Sequence, residues 1–77
     1  MRVLLFGIMK DIVAAKTLTI EAEIPTVGDL KHWLKQEYPA VQNLKAVMIA
    51  VNKTYAADET ILSPEDEIAI IPPLSGG

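Results

Sequence analysis

Between Pro25 and Pro39 the chain carries its one stretch of helical periodicity, and that stretch limits what the remainder can build. Val27, Leu30, Trp33, Leu34 and Tyr38 recur at helical spacing and line up as a single apolar stripe. Lys31, His32, Lys35, Gln36 and Glu37 fill the opposite side. Thr26 stands at the N-cap, where its hydroxyl accepts from a free backbone N–H. Asp29 adds a negative charge that complements the dipole of the first turn. Pro39 stops the helix, because the residue before a proline is biased away from the helical conformation. A chain of 77 residues is one small domain. With a single amphipathic helix, the stripe is buried by laying it across one face of a sheet.

The rest of the chain supplies that sheet. Residues 2–8 read as a first strand, with Val3 and Leu5 on one face and Arg2, Leu4 and Phe6 on the other. Gly7 marks its end or a bulge. Residues 10–15 form a turn or a brief helical connection. Residues 17–24 alternate strictly, Leu18, Ile20, Ala22 and Ile24 against Thr17, Thr19, Glu21 and Glu23, which predicts a half-buried strand in a hairpin with the first. Residues 41–44 read as a loop. Residues 46–51 are apolar on both faces, as a strand flanked on each side requires. Asn52-Lys53 is a turn signal, residues 54–57 pair back as a short fourth strand, and Ser63-Pro64-Glu65-Asp66 turns into a last strand, residues 68–71. The order β-β-α-β-β-β predicts an α+β two-layer sandwich with a mixed sheet.

Several function classes lose support at this point. The net charge is −3 and the seven Lys and Arg residues are spread along the chain, so no basic stripe favours nucleic acid. No apolar run is long enough to span a bilayer. The opening residues lack the pattern of a signal peptide, and with no Cys the expectation is a cytoplasmic protein. The lack of Cys also excludes disulfides, thiolate metal sites and a cysteine nucleophile. His32 is the only histidine and lies on the polar side of the helix, which reads as a solvated side chain rather than a metal ligand. Glu65, Asp66 and Glu67 read as a solvated turn, and Gly7 and Gly28 fit no phosphate-cradling pattern. Trp33 and Tyr38 belong to the core stripe. No metal, no bound cofactor and no internal active site are expected.

What remains is the end of the chain, Ile68-Ala-Ile-Ile-Pro-Pro-Leu-Ser-Gly-Gly77. Pro72 and Pro73 cannot donate to a sheet ladder and favour an extended path, so the tail is expected to project from the body. Gly76 and Gly77 carry no Cβ, which makes the narrowest possible peptide. Such a tail threads a tight channel and presents an α-carboxylate to chemistry on another protein. With no Cys in the chain, that carboxylate is the one handle on which sulfur could ride.

Pro72-Pro73-Leu74-Ser75-Gly76-Gly77 resembles the Pro-Pro-x-Ser/Thr-Gly-Gly ending of the molybdopterin synthase small-subunit family, the MoaD family of sulfur carriers. Ala50-Val51-Asn52 and the opening strand extend the resemblance over nearly the full chain. It implies the β-grasp, ubiquitin-like fold, with first and last strands parallel at the sheet centre. The domain would span residues 1–71, followed by a flexible tail of residues 72–77. It also implies a mechanism. An E1-like partner uses ATP to adenylate Gly77, sulfur converts it to a thiocarboxylate, and the sulfur passes to a cyclic pterin precursor inside the large subunit of a 2:2 heterotetramer. The chain itself would be a subunit of a sulfurtransferase with no active site beyond that terminus. Carriers for thiamine (thiazole) synthesis or tRNA thiolation, and ubiquitin-like protein modifiers, share fold and diglycine and stay open as alternatives. The Pro-Pro-x-Ser/Thr ending argues against the thiazole carrier.

A second element of the expected site lies on the sheet. If Val3, Leu5, Ile68 and Ile70 face the helix, then Leu4, Phe6, Ala69 and Ile71 face away, on a surface the chain has no second helix to cover. Uncovered apolar patches mark partner surfaces. In the family such a face seats the protein on its partners, and the positions matching Phe6, Tyr55 and Ile71 fall on it. Ile71 is aliphatic where many members carry a larger aromatic.

Overall fold

The computed structural model describes residues 1–73; Leu74, Ser75, Gly76 and Gly77 lie outside the described residues. Five strands form one mixed sheet. Strands β1 (Arg2–Leu5) and β5 (Ile68–Ile71) run parallel at its centre, with Val3 opposite Ile68, Leu4 opposite Ala69 and Leu5 opposite Ile70. Strand β2 (Thr17–Thr19) pairs antiparallel with β1 on one side. On the other side β3 (Met48–Val51) pairs antiparallel with β5 and carries β4 (Thr54–Tyr55) at the far edge. The order β2-β1-β5-β3-β4 is the β-grasp arrangement expected from the sequence. Both edge strands are very short, three and two residues, which leaves little exposed ladder for unwanted pairing.

Helix α2 (Val27–Glu37) grips one face of this sheet. Its start follows the residues that predicted it: the Thr26 hydroxyl accepts from the Asp29 N–H at 3.2 Å and donates to Asp29 Oδ2 at 2.8 Å. The free N–H groups of Val27 and Gly28 find the carbonyls of Thr60 and Asp58, and Lys31 Nζ meets Asp58 Oδ1 at 2.8 Å. Val27, Leu30 and Leu34 are fully buried against Val3, Leu5, Ile49, Ile68 and Ile70 from the sheet. Each such side chain contributes about 1.5–3 kcal/mol by leaving water, a large share for a domain of this size. Trp33 and Tyr38 are half-buried and meet edge to face, with ring centroids 6.4 Å apart, at the margin of that core.

The structure corrects four boundaries. β1 ends at Leu5, not at residue 8, because Gly7 turns the chain with φ 55° and ψ −137°. Helix α1 (Ile8–Val13) begins at once, the Met9 and Lys10 N–H groups donating to the Phe6 and Gly7 carbonyls. Of the two expected forms, the connection at residues 10–15 takes the helical one as far as Val13, and Met9 in its first turn is fully buried. β2 ends at Thr19 rather than at residue 24, with Ile20 still donating to the Met1 carbonyl at 2.8 Å. Ile20 and Ile24 still reach the core, but Ala22 between them is exposed. Residues 39–43 form a 3₁₀ turn (Pro39–Asn43) that buries Val41, where a loop was expected. β3 begins at Met48 rather than residue 46, and β4 stops at Tyr55.

The Asn52-Lys53 turn is confirmed as a two-residue hairpin loop. Both residues take positive φ, 52° and 72°, as a primed turn requires.

Candidate partner-binding face and the base of the tail

Side chains of a strand alternate between faces, so burying Val3, Leu5, Ile68 and Ile70 under α2 turns their neighbours outward. Strand register then sets those neighbours in rows. Leu4, Ala69, Ala50 and Tyr55 lie side by side across four strands, and Ile71 lies beside Met48 in the next row. Phe6 continues the same side just past the end of β1. Phe6 is 47% exposed, Met48 43% and Tyr55 62%, around a floor in which Leu4, Ala69 and Ile71 are half-buried and Ala50 is buried. A shallow hollow of about 340 Å³ runs between Leu4, Phe6, Tyr55, Ala69 and Ile71, with Lys53 and Glu67 also in its wall. An apolar, aromatic-bearing centre with few charges is the composition of an interface core.

Phe6, Tyr55 and Ile71, named from the sequence, are thus brought to one hollow. Met48 and Ala50 were missed. Strand β3 is apolar on both faces, so its alternation gives no sign of which residues turn outward, and only the pairing of Met48 with Ile71 does.

At the base of the tail, Pro72 and Pro73 are both half-buried, and the Pro72 ring lies against the backbone of Gly7. The expectations for Leu74, Ser75, Gly76 and Gly77 fall outside the described residues.

The other titratable groups take structural or solvated positions. His32 is exposed on α2. Asp66 accepts from the Ser63 N–H at 2.7 Å and from Asn52 Nδ2 at 2.9 Å, and these bonds, the backbone one foremost, hold its carboxyl below the usual aspartate value. Among the described residues no polar or charged side chain is buried, and no group of acids and histidines is spaced to hold a metal. A larger hollow of about 430 Å³ lies between Met1, the segment after β2, Leu62 and Pro64. Its only ionisable side chains are the carboxylates Glu21 and Glu23, which offer no base–nucleophile pairing. No described helix is long and apolar enough to cross a membrane. What this molecule can present is an apolar face and, beside it, the root of a tail.

Residues 3–77 match the ThiS family model. The chain belongs to the ThiS family. Among its relatives, the molybdopterin synthase sulfur carrier subunit of Caenorhabditis briggsae is 38% identical over 80 residues, covering 99% of this chain and 95% of that protein. The subunit of the same name from Dictyostelium discoideum is 36% identical over 81 residues, with 99% and 94% covered. Solved structures agree on the fold. A putative molybdopterin converting factor subunit 1 from Pyrococcus furiosus superposes with a TM-score of 0.82 at 24% identity, covering 95% of each chain. Small archaeal modifier protein 1 from Methanosarcina acetivorans gives 0.77 at 26%, with 99% and 94% covered. A chain in the complex of subunits 1 and 2 of the molybdopterin-converting factor from Helicobacter pylori gives 0.66 at 26%, with 99% and 96% covered.

Proposed function

We propose that this chain is the sulfur carrier subunit of molybdopterin synthase. The observation that carries the reading is the end-to-end likeness to sulfur carrier subunits of that enzyme. The open apolar face beside the root of a Pro-Pro-Leu-Ser-Gly-Gly tail adds to it. The Helicobacter complex supports a large-subunit partner, which Phe6, Tyr55 and Ile71 would engage.

A carboxylate is a poor electrophile, and the proposed chemistry begins by correcting that. An E1-like partner positions ATP so that a carboxylate oxygen of Gly77 attacks the α-phosphorus and pyrophosphate leaves. The acyl-adenylate has a good leaving group. Sulfide adds to its carbonyl and expels AMP, leaving a thiocarboxylate directly. Where a persulfide is the donor, AMP leaves to give an acyl disulfide. A second thiol then reduces the S–S bond, forming a disulfide with the donor and freeing the thiocarboxylate. The sulfur is then a soft nucleophile at the tip of a slim arm. Inside the large subunit it attacks the cyclic pterin precursor, and water then cleaves the acyl–sulfur bond, leaving the sulfur on the precursor as part of the future dithiolene and returning the Gly77 carboxylate. The large subunit supplies substrate pocket and proton transfers, in a 2:2 assembly. This chain binds no cofactor of its own, ATP being used by the activating partner in the cytoplasm. Gly77 reacts, Gly76 gives clearance, and Pro72, Pro73, Leu74 and Ser75 form the arm.

The test is the intact mass of the chain after incubation with ATP, an E1-like activating enzyme and a sulfur donor. The expected change is exchange of one oxygen for sulfur, lost on deletion of Gly76 and Gly77. No change with an enzyme shown active on another carrier of the family would overturn the reading. The likeness to small archaeal modifier protein 1 favours a second reading, in which the activated carboxyl forms isopeptide bonds with lysines. Lysine conjugates bearing this chain in cell lysate would support it. Carriers for thiamine synthesis or tRNA thiolation would give the same mass change and differ only in the acceptor, so the pterin precursor is tried first.

A further inference from the structure

We infer that Gly7 is the seat of Pro72 and acts as a positioning residue that sets the direction in which the reactive tail leaves the sheet. The inference rests on the carrier reading above for its functional consequence. β1 and β5 run parallel and in step, Val3 with Ile68, Leu4 with Ala69 and Leu5 with Ile70. Two residues further along each strand the same register sets Gly7 opposite Pro72. Both residues lie past the paired strands, β1 having stopped at Leu5 before turning into α1 and β5 at Ile71 before the double proline. Pro72 has no N–H with which to continue the ladder, so it packs its ring against the neighbouring backbone instead.

Two features make that packing depend on glycine. A Cβ built on Gly7 would lie 2.9 Å from Pro72 Cγ and 3.6 Å from Cδ, too close for the ring to stay where it is. The Gly7 backbone, at φ 55° and ψ −137°, occupies the region taken by the first central residue of a type II′ turn, which side-chain-bearing residues avoid. The turn bends β1 away at once and leaves a bare backbone platform for the ring. Phe6 and Ile71 flank this contact on the open apolar face, so the position of Pro72, from which the arm departs, is set relative to the docking surface. A side chain at position 7 pushes Pro72 off the platform and swings the arm while leaving that surface in place.

The test compares wild type with Gly7→Ala and Pro72→Ala in two arms. In the first, NMR on the folded carriers looks for a nuclear Overhauser contact between the Gly7 α-protons and the Pro72 ring, and reads residual dipolar couplings at Ile71 and Gly7. The contact is expected in wild type, and the couplings are expected to move in Gly7→Ala. In the second, the carriers are thiocarboxylated and sulfur transfer is followed with the large subunit and precursor. Because the docking face is retained, KM for the carrier is expected to stay within about twofold while kcat falls on the order of a hundredfold for Gly7→Ala, as misplacement of a reacting group does. Pro72→Ala, which carries no backbone strain at position 7, is expected to lower kcat in the same direction. If Gly7→Ala does not fold, Pro72→Ala decides alone, and an unchanged kcat there overturns the proposal. A rise in KM with kcat unchanged, or no Gly7–Pro72 contact in wild type, overturns it equally. If wild type itself takes up no sulfur, the carrier reading is what has failed, and the NMR arm still decides whether Gly7 seats Pro72.

Discussion

The Asn52 side chain donates from Nδ2 to Asp66 Oδ1 at 2.9 Å, and its Oδ1 accepts from the Glu67 N–H at 2.9 Å. One carboxamide in the β3–β4 turn therefore holds the loop that delivers β5. The main chain reinforces it, the Asn52 N–H donating to the Glu67 carbonyl at 2.7 Å. Because β5 leads directly to Pro72, the geometry of the tail's root is set partly by a turn on the far side of the sheet.

Asn52→Gly isolates that side chain. Glycine keeps the left-handed backbone that Asn52 adopts at φ 52° and deletes both side-chain bonds. The expected loss is roughly 1–2 kcal/mol, for two exposed bonds of ordinary worth. Asn52→Ala should lose about 1 kcal/mol more, since alanine resists positive φ. Urea unfolding with an unchanged m-value measures both. Equal midpoints for wild type and Asn52→Gly would mean the bridge contributes nothing.

Asp66 gives this loop a pH dependence whose sign is fixed. Its carboxyl group accepts from the Ser63 N–H and from Asn52 more strongly when ionised, so its folded-state pKa is lowered. The stability it confers is present above the ordinary aspartate value and is lost as pH falls from there through the lowered one. Wild type should lose stability in that acid window more steeply than Asp66→Asn, and the two should run parallel at neutral pH. Urea midpoints recorded across the range test this, and parallel curves throughout would refute it.

The parts of the fold legible in the sequence are those where one local pattern had one outcome. Thr26, Asp29 and the stripe from Val27 to Leu34 define α2 because cap, dipole and burial agree. Ile68–Ile71 is legible because a buried apolar run ends on prolines. Residues 17–24 misled because alternation reports which side chains are buried, not whether a partner strand exists to pair with. Ile24 is buried without being in the sheet. A brief helix after the first strand was one of two expected connections, but its start at Ile8 was hidden because Ile8 fits the end of a strand as well as the start of a helix, and only the Gly7 backbone decides between them. On the open face Phe6 and Ile71 followed from alternation along their own strands. Met48 and the seat of Pro72 on Gly7 depend on cross-strand register, which no single segment encodes.

The open face should be separable from stability. Phe6 is half-exposed and lies outside the core cluster, so Phe6→Asp should leave the thermal melt within a few degrees of wild type. Against the large subunit, a carboxylate at the centre of an apolar interface should raise Kd on the order of tenfold or more. Tyr55→Asp, at 62% exposure the more open of the two aromatics, should act in the same direction. Calorimetric titration of thiocarboxylate-free carrier reads the effect on docking alone. Wild-type affinity in both variants would move the interface elsewhere on the molecule.

Gly76→Val tests the arm by clearance. Gly76 has no Cβ, and a channel narrow enough to exclude water from a thiocarboxylate has room for little beyond a bare backbone. Valine adds a branched side chain next to the reacting residue and restricts its own φ and ψ. Gly76 follows the last strand in sequence by five residues, so urea unfolding should match wild type. Sulfur transfer should fall by a factor on the order of a hundred, the size of effect that misplacing a reacting group produces. Intact mass before transfer separates the two places where clearance could fail. A variant that takes up sulfur and cannot deliver it is blocked in the large subunit, whereas one that takes up none is blocked in the activating enzyme. Normal product formation by Gly76→Val would remove the steric role of the diglycine.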